Sequence, residues 1–80
     1  MEIGKVTHFF GKISVVVIEL SADLKVGDKI HFNGHDVDFV QEVDSMQIDH
    51  KGVEQAVAGQ SIGLKTKKEV KVGCTVDLVE

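Results

Sequence analysis

The side chains best suited to chemistry are four histidines and one cysteine. His8, His31, His35 and His50 are spread along the chain, and Cys74 has no second cysteine at a CxxC spacing. A metal site needs three or four ligands that converge on one point, and a nucleophilic thiol needs a neighbouring base and partial exposure. Neither pattern is present. We therefore expect solvated or hydrogen-bonded histidines, an unreactive thiol, no metal, no cofactor and no catalytic activity.

Two adjacent aromatic rings are the strongest candidates for binding. Phe9 and Phe10 stand directly before Gly11, and successive residues of a strand point to opposite faces, so both rings cannot point inward. We expect one ring to plug the end of the core. The other is then an exposed anchor for a protein partner or a platform for base stacking. His8 and Lys12 flank the pair and would supply its polar rim.

A second candidate for binding is a lysine cluster near the C-terminus. Lys65, Lys67, Lys68 and Lys71 are interrupted only by Glu69 among charged residues. The cluster has two interpretations: a charged loop that keeps a small sheet soluble, or a patch that contacts phosphate. The chain has a net charge of -4 and contains no arginine. Any nucleic-acid contact would therefore be local, weak and sensitive to salt.

The elements that position these residues are predicted to be strands. Val occurs 14 times and Ile 6 times against only 4 Leu, a composition that favours strands over helices. Alternation predicts strands at residues 3–8, 12–20, 29–32, 61–65 and 75–79. The strand at 12–20 is apolar at both parities, which is typical of a strand covered on both faces or of one that crosses a barrel. We expect one all-β domain over residues 1–80, folded as a single small antiparallel β-barrel.

The dipeptide Asn33-Gly34 predicts a two-residue hairpin turn, since both residues tolerate positive φ. That turn would pair Phe32 with His35 and His31 with Asp36. Further along, the inward parity slips between residues 43 and 46, which predicts a bulge or a strand break there.

Three glycine-containing motifs follow one another in a recognisable order. They are Leu24-Lys25-Val26-Gly27-Asp28-Lys29-Ile30, Ala58-Gly59-Gln60-Ser61-Ile62-Gly63-Leu64 and Val72-Gly73-Cys74-Thr75-Val76. In order and spacing they resemble the second domain of translational GTPases such as elongation factor Tu and initiation factor two. The resemblance covers roughly residues 3–79 and implies a translation-factor-like β-barrel. The chain has no phosphate-binding Gly-x-x-x-x-Gly-Lys-Ser/Thr loop, so no GTP binding is expected.

The resemblance implies a non-enzymatic binding module accessory to translation, in contact with the ribosome, tRNA or another translation component. The alternative is a protein–protein interaction module that works with a separately encoded enzyme, because such barrels also resemble the C-terminal segment of some collagenase-like bacterial peptidases. We expect a monomer without a membrane segment, since no apolar run approaches about 18 residues. The strand pattern begins at Met1-Glu2-Ile3 and leaves no room for a signal peptide, and the lone cysteine fits a reducing compartment, so the cytoplasm is the expected location.

Overall fold

The β-branched residues form strands, as their number predicts. The computed structural model describes residues 1–34 and 36–79, and these residues contain strands and turns but no helix. The strands pair antiparallel throughout. Their bounds are β1 Glu2–Phe10, β2 Val15–Leu20, β3 Leu24–Lys25, β4 Lys29–Gly34, β5 Val37–Glu42, β6 Met46–Ile48, β7 Lys51–Val53, β8 Gln55–Ala56, β9 Ser61–Lys65 and β10 Thr75–Val79.

Eight of these strands form one sheet in the order β5-β4-β10-β1-β2-β9-β6-β7, while β3 and β8 form a separate short ladder. The all-β prediction is confirmed, but the closed barrel is not formed. The two edge strands of the sheet, β5 and β7, do not pair with each other. Closure requires a continuous ladder around the axis, and β7 has only three residues. The segment between β3 and β4 contacts both ends: Gly27 N–H donates to the Val43 carbonyl just after β5, and Val26 N–H donates to the Glu54 carbonyl just after β7, both at 2.9 Å.

One hydrophobic core lies on the concave side of the sheet. Leu24 and Ala56 of the short β3–β8 ladder belong to it, so this ladder covers part of the core. The buried apolar side chains are Ile3, Val6, Val16, Ile18, Leu20, Leu24, Ile30, Phe32, Val37, Val43, Met46, Ala56, Ile62, Leu64, Val70, Cys74 and Val76.

The β4–β5 hairpin turns two residues later than the sequence predicts. Gly34 pairs with Val37 and Phe32 pairs with Phe39, so Asn33 and Gly34 are strand residues. The predicted partner His35 lies outside the described residues. Gly34 is required for a close approach: an added Cβ would lie 2.5 Å from Cys74 Sγ. The Asn-Gly signal was therefore misleading, because its glycine serves packing between β4 and β10.

Two strand predictions agree with the structure to the residue, β9 at Ser61–Lys65 and β10 at Thr75–Val79. The predicted break between residues 43 and 46 is also confirmed, since β5 ends at Glu42 and β6 begins at Met46. In these segments the alternation is regular and the bounding turns are rich in glycine or charge.

The three glycine motifs that carried the resemblance form similar turns. Gly27, Gly59 and Gly73 each have a positive φ between 92 and 98°, a conformation that glycine adopts without steric cost. The three turns lead into β4, β9 and β10, respectively. The motifs thus encode turn geometry that any small antiparallel sheet with this chain path would need.

Candidate functional site

A β-bulge in β1 determines which aromatic ring faces solvent. Val6 pairs with Ile18 and His8 pairs with Val17, so Thr7 is an extra residue in the ladder. An extra residue reverses the inward parity of everything that follows it. Consequently Phe9 packs against the core, whereas Phe10 points outward and is 50% exposed. The sequence required that the two rings differ, and the bulge decides between them.

The bulge places His8 and Phe10 on the convex outer face of the sheet. Across the strands, Phe10 pairs with Val15 and Val15 pairs with Lys65. In the next row His8 pairs with Val17, Val17 with Gly63, and Gly63 with Gln47. We call the apolar part of this surface the Phe10 face, and its residues are Phe10, Ile13, Val15, Val17 and Gly63.

The Phe10 face forms a shallow groove of about 350 Å³. Gly63 is its low point, and the nearest side-chain atom to an added Cβ would be Val15 Cγ1 at 3.5 Å. Ile13 rises beside it from the β1–β2 loop and is 59% exposed. Asp49 and His50 line the opposite side. The groove is therefore open, apolar at its base and bordered by polar groups.

The rim formed by Asp49 and His50 is a tight hairpin turn between β6 and β7. Ile48 pairs with Lys51, and the two residues between them have φ values of 52 and 66°. Two successive positive φ values are characteristic of a type I′ turn. The two-residue turn expected at Asn33-Gly34 is thus found here, on residues without the usual glycine.

The four residues of the aromatic candidate site separate into two groups. His8 and Phe10 stack, with ring centroids 6.3 Å apart and an interplanar angle of 7°. Lys12 is exposed in the adjoining loop. Phe9 leaves the group because it packs inward. His8, Phe10 and Lys12 therefore remain candidates for binding.

The four lysines of the cluster have different neighbours in the structure. Lys68 Nζ lies 5.8 Å from the centroid of the Phe39 ring, and Lys71 Nζ lies 4.0 Å from Asp36 Oδ2. Lys65 instead faces outward beside Val15, next to the Phe10 face. Lys67 is exposed, and its backbone N–H donates to Gln41 Oε1 at 3.1 Å. Lys68 and Lys71 thus contact other side chains, whereas Lys65 lies beside the Phe10 face, and phosphate binding by the cluster stays a prediction.

The described residues offer no cluster for metal or nucleophilic chemistry. No group of three or more His, Cys, Asp or Glu side chains is placed to hold a metal ion within residues 1–34 and 36–79. Cys74 is a buried free thiol. The close pair of His31 Nε2 and Asp38 Oδ1 lies on β4 and β5, at the end of the sheet away from Phe10. What the arrangement can do is bind an apolar group on the Phe10 face.

Sequence reasoning missed most of this face. Ile13, Val15, Val17 and Gly63 were not candidates. The available signal was the strand that is apolar at both parities, interpreted as covered on both faces. In the structure Val15 and Val17 are only half-buried on the outer side. Their covering layer is not supplied by the described residues.

Within the part of the chain that the structure describes, no helix is long and apolar enough to cross a membrane. No protein-family model matches the chain. A curated relative does match: an uncharacterized protease of Methanocaldococcus jannaschii is 46% identical over 81 residues. The match covers 100% of this chain and 20% of the relative. The chain thus spans about one fifth of that relative's length.

Two solved structures share the fold. Both are the C-terminal domain of a Geobacillus thermoleovorans protein assigned to the U32 peptidases, one of them a selenomethionine variant. The variant has a TM-score of 0.90, covering 95% of this chain and 96% of that chain. The other has a TM-score of 0.92, covering 98% and 91%. Each is 15% identical to this chain, so the likeness concerns the fold.

These findings correct three predictions. The resemblance to the second domain of translational GTPases is wrong, because the similar proteins are peptidases and the shared motifs encode turns. The description of the chain as translation-factor-like is wrong for the same reason. The prediction that the chain is not an enzyme is contradicted as well, since the relative that matches 100% of this chain with 20% of its own length is named a protease.

Proposed function

We propose that this chain is an accessory β-domain of a peptidase that acts by binding polypeptide on the Phe10 face. The observation that carries the proposal is the 46% identity over the whole chain to one fifth of a protease. The alternative interpretation of the sequence, a protein–protein interaction module that works with a separately encoded enzyme such as a peptidase, is supported by this match better than a role in translation. The fold shared with the C-terminal domain of a U32 peptidase agrees with it.

A protein partner suits the Phe10 face better than a small molecule. The groove is open along the sheet and does not enclose a ligand, whereas small-molecule sites usually bury most of their ligand. A sheet with apolar residues on both faces needs a second layer to cover them. An accessory domain receives that layer when it contacts the larger polypeptide or the polypeptide being processed.

We also propose a cytoplasmic location and a barrel-like character for the domain. A cytoplasmic location is supported by Cys74, a free thiol without a disulfide partner. A barrel-like character is supported by backbone bonds that bridge the gap between the sheet ends, such as Val26 N–H to the Glu54 carbonyl at 2.9 Å. Contact with the ribosome or tRNA stays an untested prediction.

The test uses the archaeal protease as a scaffold. Its aligned 81-residue segment is deleted, and this chain is added to the deletion variant while binding is followed by titration calorimetry. The excised archaeal segment is the positive control. We expect both to bind the deletion variant. Binding of the archaeal segment without binding of this chain would contradict the proposal.

A second arrangement decides the case in which neither segment binds in trans. This chain is fused in place of the deleted segment, because tethering raises the effective concentration to the millimolar range. We expect the fused domain to tumble with the body of the protease, measured by the rotational correlation time of its labelled amides. A domain that tumbles as a free 80-residue unit on its linker would overturn the proposal.

A further inference from the structure

We propose that the Phe10 face is the surface that docks this domain onto the larger polypeptide of its peptidase. We further infer that the docked segment places an apolar side chain over Gly63 and a carboxylate beside Lys65. The inference rests on the proposed function and names the surface and the chemistry of its partner.

The Phe10 face has a depression that can receive a side chain. Phe10 and Val17 lie on neighbouring strands, in adjacent rows of the ladder, and Gly63 leaves a dip next to Val17. An inserted side chain would be flanked by Phe10 and Ile13, both at least half exposed in the isolated domain. Anchors in protein interfaces are typically apolar or aromatic groups in such depressions.

The charge around the Phe10 face differs in sign from the net charge of the chain. The chain carries a net charge of -4, but the Phe10 end of the outer face is cationic. Lys65 adjoins Val15, Lys12 follows from the loop, and neither makes an ion pair within the described residues. Asp49 is the carboxylate that lines the groove. Opposite charge across an interface favours correct pairing, so the partner segment should be acidic on the Lys65 side.

The Phe10 face could be covered by a second copy of the chain or by a larger polypeptide. A second copy of the chain is disfavoured, because both copies carry a net charge of -4 and repel each other. The matched relative continues for about four fifths of its length outside the segment that this chain resembles. That polypeptide is held at high local concentration by the covalent link in the relative. It is therefore the occupant that the observations favour.

The experiment compares matched variants in the calorimetric titration with the deletion variant of the archaeal protease. Phe10→Ser removes the exposed ring, which is 50% exposed. Val40→Ser removes a side chain of similar exposure, 52%, from β5 at the other end of the sheet. We expect Phe10→Ser to weaken binding at least 10-fold and Val40→Ser to change it less than twofold. Lys65→Glu should weaken binding several-fold, with a smaller loss at high salt.

The outcomes separate the surface from the function. Wild-type binding that is unchanged by Phe10→Ser and Ile13→Ser would overturn the docking surface and leave intact the proposal that the chain is an accessory domain of a peptidase. Loss of wild-type binding, with free tumbling of the fused domain, would overturn both. Concentration-dependent self-association that disappears with Phe10→Ser would identify a second copy as the occupant and overturn the inference. Amide spectra establish that each variant is folded, and Ile13→Ser replaces Phe10→Ser if the latter unfolds.

Discussion

The outer surface of the sheet has two halves of opposite character. One half is the Phe10 face on β1, β2 and β9. The other half lies on β10, β4 and β5, and we call it the His31 face. Its outward residues are Lys29, His31, Asn33, Asp38, Val40, Glu42, Thr75, Asp77 and Val79. Both halves belong to the same sheet and cover the same core.

The His31 face pairs some of its polar groups with one another. His31 contacts Asp38, and the Thr75 hydroxyl donates to the Asn33 carbonyl at 3.1 Å. The Phe10 face instead presents apolar side chains, and its rim cation Lys65 makes no ion pair within residues 1–34 and 36–79. The Phe10 face therefore gathers several exposed apolar side chains in one place, as interfaces do, whereas Val40 on the His31 face is exposed among polar neighbours.

The largest effect is expected from the adjacent aromatic rings. Phe9→Ala removes a ring packed on the core and should lower the free energy of unfolding by about 2–4 kcal/mol. Phe10→Ala removes an exposed ring and should change it by less than about 1 kcal/mol. Chemical denaturation of both variants measures the difference. Equal losses would show that the bulge at Thr7 does not reverse the parity.

Two glycines give the next comparison, one on each side of the sheet. Gly34→Ala should cost about 1–3 kcal/mol, since its Cβ would meet Cys74 at 2.5 Å and the Cys74 backbone at 3.1 Å. Gly63→Ala should be neutral within about 0.5 kcal/mol, because the groove has room. Thermal unfolding compares the two variants. A stable Gly34→Ala variant would remove the packing explanation for the hairpin register.

A buried glutamine fastens the β5 end of the sheet. Gln41 is 5% exposed, donates to the Lys65 carbonyl at 2.9 Å and accepts from Lys67 N–H at 3.1 Å. Gln41→Leu should cost about 1–3 kcal/mol, since it leaves both backbone groups without their partner. Gln47→Leu, an exposed glutamine on the other half, is the matched control and should cost less than about 0.5 kcal/mol. Similar unfolding midpoints for the two variants would count against this bridge.

The smallest effect concerns the turn that borders the groove. His50→Gly should stabilise the domain by about 0.5–1 kcal/mol, because His50 has a φ of 66° and glycine adopts that conformation without strain. Lys51→Gly in the adjoining strand should destabilise it by a similar amount. The melting temperatures of the two variants should move in opposite directions. A lower melting temperature for His50→Gly would contradict the type I′ assignment.

The sequence predicted the fold wherever alternation was regular. β9 and β10 were placed to the residue because apolar and polar positions alternate between clear turns. The hairpin register failed because Gly34 has a packing role that only the neighbouring Cys74 reveals. The exposed ring could not be identified because the bulge at Thr7 depends on pairing with β2. Such features arise from contacts between distant residues and leave no local pattern.

The candidate site was predictable only in part. His8, Phe10 and Lys12 come from one short segment and stayed together in the structure. Lys65 was grouped with other lysines by sequence proximity, whereas β-pairing sets it beside Val15 on the Phe10 face. Proximity along the chain is a poor guide where strands from different segments build one surface.

The most direct test of the central claim is the solvent exposure of individual methyl groups. The domain is labelled at Ile and Val methyls and compared, free and fused into the archaeal protease, by relaxation from a paramagnetic cosolute. We predict that Ile13, Val15 and Val17 become protected in the fusion while Val40 and Val57, exposed elsewhere on the domain, do not change. Unchanged exposure of Ile13, Val15 and Val17 in the fusion would contradict docking through the Phe10 face.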